Sequence, residues 1–312
     1  MTRITDSQYL REMLANHYPG LNINDAAKAS GQRVVYFCTF DDFVIEHPEG
    51  SRKMNWSSWG DVVVKVCNNP SANSIERLSK EITILQQLDS DSFPSLKYHE
   101  TLTFDPTTEM PLDVRLLVTI EERILSTPLS ECKDGFSKEP AVIKLLHSLI
   151  TALTGLWNHQ NKYVHRDLKP DNILIRPCKN PVIIDLGIVR ETGQQGLTNT
   201  FQLMGPCTLM YASPEQITND KLNISFKSDL FALGIITYEL LSGQHPFFTQ
   251  PPSSIEEAHS VLTTHIPPAL KEIASVSQEL SDIVSKLLAN EPYKRYRKYQ
   301  TVLDQLSLIE VR

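Results

Sequence analysis

Hydrophobic and polar positions follow two rhythms along the chain. Between about residues 31 and 123 the apolar runs are short and rich in β-branched residues, as in Val34-Val35-Tyr36-Phe37, Val62-Val63-Val64 and Leu116-Leu117-Val118-Thr119-Ile120. Such runs predict strands. Residues 75–88 break this rhythm: Ile75, Leu78, Ile82, Leu85 and Leu88 recur at intervals of three or four and predict an amphipathic helix. Residues 6–17 predict a short helical leader, stopped by Pro19-Gly20. Beyond Ser130 the pattern turns helical, with long apolar segments at 141–159 and 228–243, the second closed by Gly243, and two more at 277–289 and 299–308. A mostly β portion followed by a mostly α portion predicts an α+β fold of two packed lobes with a hinge near residues 121–123, and ligands favour such clefts. The expected division is a leader over 1–20, a first lobe over 21–122 and a second over 123–312.

Composition narrows the class without naming a function. At 312 residues, 41% hydrophobic and 21% charged, the chain reads as globular, and its formal net charge of -7 argues against a default nucleic-acid or anionic-membrane binder. Cys38, Cys67, Cys132, Cys178 and Cys207 form no CxxC pair, which predicts reduced thiols in a reducing compartment. The first residues lack the apolar core of a signal peptide, and no run reaches the roughly 18 uncharged apolar residues of a membrane span. The expected setting is a soluble cytoplasmic protein.

Chemistry concentrates in His165-Arg166-Asp167-Leu168-Lys169-Pro170-Asp171-Asn172, between a long helix and the run Ile173-Leu174-Ile175. Downstream, Val182-Ile183-Ile184 ends in Asp185-Leu186-Gly187. Phosphoryl transfer requires charge neutralised on the phosphates and a hydroxyl held in line. Asp185 and Asn172 offer hard oxygen ligands suited to Mg²⁺, and Asp167 can orient the attacking hydroxyl and accept its proton.

From about Lys28 to Arg295 these elements resemble the eukaryotic-like (Hanks-type) serine/threonine protein kinase family, in the family's order. HRDLKPDN matches that family's catalytic loop at every position. The resemblance implies a bilobal fold with a small β-rich first lobe carrying one key helix and a larger, mainly helical second lobe. It makes Asp167 the catalytic aspartate, Lys169 the γ-phosphate contact, and Asn172 and Asp185 the metal ligands. Lys169 also favours Ser/Thr over Tyr acceptors. Val62-Val63-Val64-Lys65 resembles the VAIK strand, so Lys65 would bind the α/β-phosphates and Glu81 would orient it through an ion pair, with Glu76 as a rival on the same helix. Tyr211-Ala212-Ser213-Pro214-Glu215 resembles the APE motif, which makes Thr208 the threonine linking Asp167 and Lys169. By the same match Asp229 braces the catalytic loop and Arg295 pairs with Glu215. The nucleotide is expected against Ser30, Gly31, Val35, Val63, Glu121 and Leu174 as well. The implied cofactors are ATP and Mg²⁺, with Mn²⁺ as an alternative, and the implied partner is a protein bearing Ser or Thr. No nucleic acid or membrane partner is expected; self-association for trans-autophosphorylation is open.

The sequence departs from the family pattern where Lys28, Ser30 and Arg33 replace glycines of the phosphate loop; glycines there let backbone N–H groups approach phosphate. Lys28 and Arg33 read either as compensating charges or as solvated surface. Val63 replaces an alanine and Leu186 a phenylalanine, and residues 41–59 read as an exposed insertion. Arg166 beside Asp167 suggests an activation loop ordered by phosphate, with Thr192, Thr198 and Thr200 on offer and Thr198 or Thr200 as the expected autophosphorylation site. Two competing readings are a pseudokinase scaffold, suggested by the altered phosphate loop, and a small-molecule phosphotransferase, disfavoured by the full catalytic loop and APE-like motif.

Overall fold

The computed structural model describes residues 8–26, 33–45, 50–68, 70, 72–88, 90–105, 110–186, 190–191 and 209–310. The chain divides into two compact units, Met1–Ile124 and Leu125–Arg312. The first is β-rich and the second mainly helical, the α+β class expected from the sequence.

The first unit is built on an antiparallel sheet of β1 (Leu21–Ala26), β2 (Arg33–Phe40), β5 (Val62–Asn68), β7 (Met110–Glu122) and β6 (Leu96–Asp105), in the order β1-β2-β5-β7-β6. Alternation along a strand sends successive side chains to opposite faces. One face carries Val34, Tyr36, Val62, Val64, Val118 and Ile120 into the core, covered by α1 (Gln8–His17) through Leu10, Met13 and Leu14. This helix is thus a wall of the core rather than a separate leader, because its apolar stripe has the sheet to bury against. The other face carries Cys67 and Leu117 against Leu78 and Ile82 of α2 (Ala72–Gln87). On that same face β2 and β5 set Arg33 opposite Cys67, Val35 opposite Lys65 and Phe37 opposite Val63, while β7 sets Thr119 opposite Lys65 and Glu121 opposite Val63.

The stretch 41–59 is exposed at most of its described positions, as expected, but two aromatic residues anchor it to the core. It forms a hairpin of β3 (Phe43–Ile45) and β4 (Arg52–Met54), then a short helical turn. Phe43 and Trp56 are buried, and Trp56 stacks on Trp59 at 4.4 Å and meets Phe40 and Phe43 edge-on at 5.1 Å each. Aromatic rings carry too much apolar area to stay in solvent when a neighbouring core will take them.

In the second unit α3 (Glu139–Trp157) buries Val142, Leu145, Leu146, Leu149 and Leu153, packing on α9 (Tyr299–Glu310) and α5 (Phe226–Ser242). By length and composition α3 is apolar enough to cross a membrane, but this apolar surface lies inside the unit. Helix α5 is buried nearly all round from Ser228 to Tyr238, as a central core helix must be. Ser225 caps its N-terminus and Gly243, at φ 71°, closes its C-terminus as expected. The short α4 (Pro214–Ile217), α6 (Ile255–Thr264), α7 (Leu270–Ile273) and α8 (Gln278–Leu287) complete the helical set among the described residues. Strand β10 (Ile173–Ile175) pairs with β11 (Pro181–Ile183) and β8 (Thr127–Pro128), and β9 (Tyr163–Val164) pairs with β12 (Arg190–Glu191). Residues 165–172 are held between β9 and β10. Cys38, Cys67, Cys132 and Cys178 are all free thiols; Cys207 lies outside the described residues.

Candidate active site

The catalytic segment hangs from one buried carboxylate. Asp229, in the first turn of α5, is 1% exposed and accepts hydrogen bonds from the backbone N–H groups of His165 and Arg166 and from Trp157 Nε1, each at 2.9 Å. Burial pushes its pKa up, and the neighbouring His165 and these donors pull against that rise without cancelling it. The two backbone donors fix the chain entering Asp167, and the Trp157 indole fixes the carboxylate that holds them. Arg166 sits at φ 71°, a conformation that costs energy for a non-glycine residue, and its carbonyl accepts from Gln216 Nε2 at 2.8 Å. Gln216 is 1% exposed and therefore ties α4 directly to the catalytic segment.

Beyond this anchor the expected chemical groups converge. Lys169 Nζ lies 3.1 Å from Asp167 Oδ2, and Asn172 Nδ2 donates to the Asp167 carbonyl at 2.8 Å and to its Oδ2 at 3.0 Å. Ile184 N donates to the Asn172 carbonyl at 3.0 Å, which brings the strand before Asp185 beside the loop. Asp185 itself sits at φ 65°. Burial raises the Asp167 pKa, Lys169 opposes the rise, and the nearby Asp185 charge adds to it. Asn172 spends its side-chain amide nitrogen on Asp167, which leaves Oδ1 as the acceptor of the same planar amide. That oxygen and the Asp185 carboxylate are both hard donors. Among the described residues no cluster of three His, Cys, Asp or Glu side chains could hold a metal alone. Two protein oxygens suit a divalent cation that draws its other ligands from water and phosphate. Leu174 is half-buried between buried Ile173 and Ile175, so it turns to the opposite side of β10 from the core.

Glu215 and Arg295 form the bidentate pair expected of them, at 2.7 and 3.0 Å, with Ser228 Oγ donating to Glu215 Oε1 at 2.6 Å. Thr208, Thr192, Thr198 and Thr200 lie outside the described residues, as do Ser30 and Gly31.

In the first unit the ion pairing is not the expected one. Lys65 Nζ binds Glu121 Oε2 at 2.7 Å, while Glu81 is held by both terminal nitrogens of Arg33. The expected Lys65–Glu81 pair is therefore corrected. Glu121 lies diagonally across the sheet from Lys65 and within direct reach, and the planar Arg33 fork matches the Glu81 carboxylate better than a single ammonium does. Burial draws the Lys65 pKa down, but Glu121 and Glu81 together outweigh it and leave the ammonium above its ordinary value. Glu76, the rival on α2, pairs with Lys80 at 2.9 Å. Val35 and Val63 are half-buried on the Lys65 face. Trp157, Gln216 and Ser228 were not singled out from sequence; Gln216 directly follows Glu215 and could have been found by that adjacency, whereas nothing local marks Trp157.

The protein kinase domain family model matches residues 53–306. The chain is 34% identical over 165 residues to serine/threonine-protein kinase PknB of Mycobacterium leprae, covering 53% of this chain and 25% of that protein. It is 36% identical over 143 residues to PknB of Mycobacterium tuberculosis, covering 45% and 22%. It is 35% identical over 154 residues to serine/threonine-protein kinase PrkC of Bacillus subtilis, covering 49% and 22%. The match thus spans about a quarter of the length of these relatives. With the family match running through the Asp167 segment, Asp229 and Arg295, the chain belongs to the protein kinase domain family.

Proposed function

We propose that the chain transfers the γ-phosphate of ATP to Ser or Thr hydroxyls of protein substrates. The observation that carries this reading is the Asp167–Lys169–Asn172 cluster, hydrogen-bonded within itself and suspended from Asp229. Asp167 orients the acceptor hydroxyl and takes its proton; Lys169, at 3.1 Å, neutralises charge developing on the transferred phosphoryl group. Asn172 and Asp185 would hold Mg²⁺, with Mn²⁺ as a substitute, and the ion would supply charge neutralisation on the phosphate oxygens. The names of the bacterial relatives favour Ser/Thr acceptors, and Arg166 favours control by a phosphate at Thr198 or Thr200. The free, scattered cysteines favour a reducing, cytoplasmic setting.

The test is incubation with labelled ATP and Mg²⁺, a generic protein acceptor, and phosphoamino-acid analysis. The reading expects phosphoserine or phosphothreonine; phosphotyrosine alone, or label only on small molecules, contradicts it. A second reading, a nucleotide-binding scaffold without transfer, draws on the Lys65–Glu121 pairing, which leaves Lys65 off its expected partner.

A further inference from the structure

Arg33 stands where the family resemblance calls for a phosphate-loop glycine, and its side chain does not project into solvent. It is 19% exposed, shares the sheet face of Lys65, and grips Glu81, itself 5% exposed, with two nitrogens. Arg33 lies opposite Cys67 and Lys65 opposite Val35, so the two cations are diagonal neighbours on adjacent strands. Their anionic partners come from different elements, Glu81 from α2 and Glu121 from β7.

The chemistry of this quartet divides the work unlike the expected pattern. In that pattern an α2 carboxylate orients the phosphate-binding cation. Here the cation so oriented is Arg33, while Lys65 is drawn along the sheet to Glu121. A bidentate guanidinium–carboxylate pair fixes direction as well as distance, which an ammonium on a flexible stem does not. The guanidinium geometry also suits phosphate oxygens. The matched family span begins at residue 53, so Arg33 belongs to the part of the chain that precedes it. Resting on the kinase reading above, we propose that Arg33 is a nucleotide-phosphate-binding residue, oriented by Glu81, and that it takes over the role otherwise expected of Lys65.

The experiment compares Mg-ATP and adenosine binding, by displacement of a fluorescent nucleotide, in the wild-type chain and in Arg33→Met, Arg33→Lys, Arg33→Gly, Lys65→Met and Glu81→Gln. Adenosine lacks phosphates and reports on the integrity of the binding surface. Arg33→Met is expected to weaken Mg-ATP about tenfold or more, the size of a lost charge-assisted contact, with adenosine unchanged. Arg33→Lys recovers part of the loss. Glu81→Gln weakens Mg-ATP in the same direction and adds little to Arg33→Met in the double variant. Lys65→Met costs less than Arg33→Met. The assignment is overturned if Arg33→Met binds Mg-ATP like wild type, if it loses adenosine equally, or if Arg33→Gly tightens Mg-ATP, as a misplaced glycine substitute would. In those cases a wild type that still binds and transfers phosphate leaves the kinase reading standing. A wild type that binds neither ligand removes both.

Discussion

Replacing Arg295 by methionine isolates the buried pair that ties α4 to the far end of the second unit. The guanidinium spends all five of its N–H donors: Nε on the Ala289 carbonyl at 2.8 Å, Nη1 on Glu215 and the Lys227 carbonyl at 2.7 and 3.1 Å, and Nη2 on Glu215 and the Asn290 carbonyl at 3.0 and 3.1 Å. It also lies 4.5 Å over the Phe231 ring. Its side chain is 0% exposed and that of Glu215 is 3% exposed. Methionine fills comparable volume but leaves the Glu215 carboxylate buried with the Ser228 hydroxyl and without its cation. Removing one partner of a buried pair costs about 3–5 kcal/mol, a large share of the ~5–15 kcal/mol that holds a domain together. At roughly 2–4 °C per kcal/mol for a unit of this length, Tm should fall by about 6–20 °C. Urea unfolding followed by circular dichroism, with a thermal scan alongside, measures both quantities. The double variant Glu215→Met/Arg295→Met removes the stranded charge and should recover at least about 1 kcal/mol of the loss. An Arg295→Met protein within about 1 kcal/mol of wild type, or a double variant less stable than the single, would refute the reasoning.

Further expectations follow from other contacts. Burial lowers the His245 pKa to about 4, and Lys133 adds to the fall; Nδ1 accepts from the backbone N–H groups of Phe247 and Phe248, while Nε2 meets the Met210 carbonyl. The unfolded side chain protonates near 6.5, so the unfolded state binds more protons between those values. The stabilisation is complete above pH 6.5 and lost as pH falls towards 4, on the order of 3 kcal/mol; stability against pH should flatten over that window in His245→Gln. Gly234→Ala brings a Cβ to 2.9 Å from Leu287 Cβ and 3.1 Å from Leu288 Cδ2, so crowding of about 1–3 kcal/mol should outweigh the ~1 kcal/mol helix-propensity gain and lower the urea midpoint. Trp157→Phe removes one of three donors from Asp229 and should cost about 1–3 kcal/mol, read by the same unfolding assay. Peptide mapping of active protein should place phosphate on Thr198 or Thr200, and active protein without phosphate there would remove that expectation.

Much of the second unit's site was legible because its chemistry is local. Asp167, Lys169 and Asn172 lie within one short segment, so their meeting needs only the turn between β9 and β10. Glu215–Arg295 spans far more chain, and only the family spacing made it readable. The first unit's ion pairs were not legible. Glu81 and Glu121 both stand near Lys65, and the choice between them depends on strand register and on whether Arg33 competes, neither of which residue spacing encodes. The burial of α1 and of Trp56 was missed for a related reason. Their partners, Tyr36 and Phe40 among them, come from the face of a sheet whose strand order is set by nonlocal pairing.

The most direct test of the central claim is phosphate transfer from labelled ATP with Mg²⁺ by wild type and by Asp167→Asn, both shown to be folded by their unfolding curves. A general base contributes about 10²- to 10⁴-fold, so wild type should label a Ser/Thr acceptor and Asp167→Asn should fall by that factor. A folded wild type that transfers nothing, or an Asp167→Asn protein that transfers at the wild-type rate, would contradict the account.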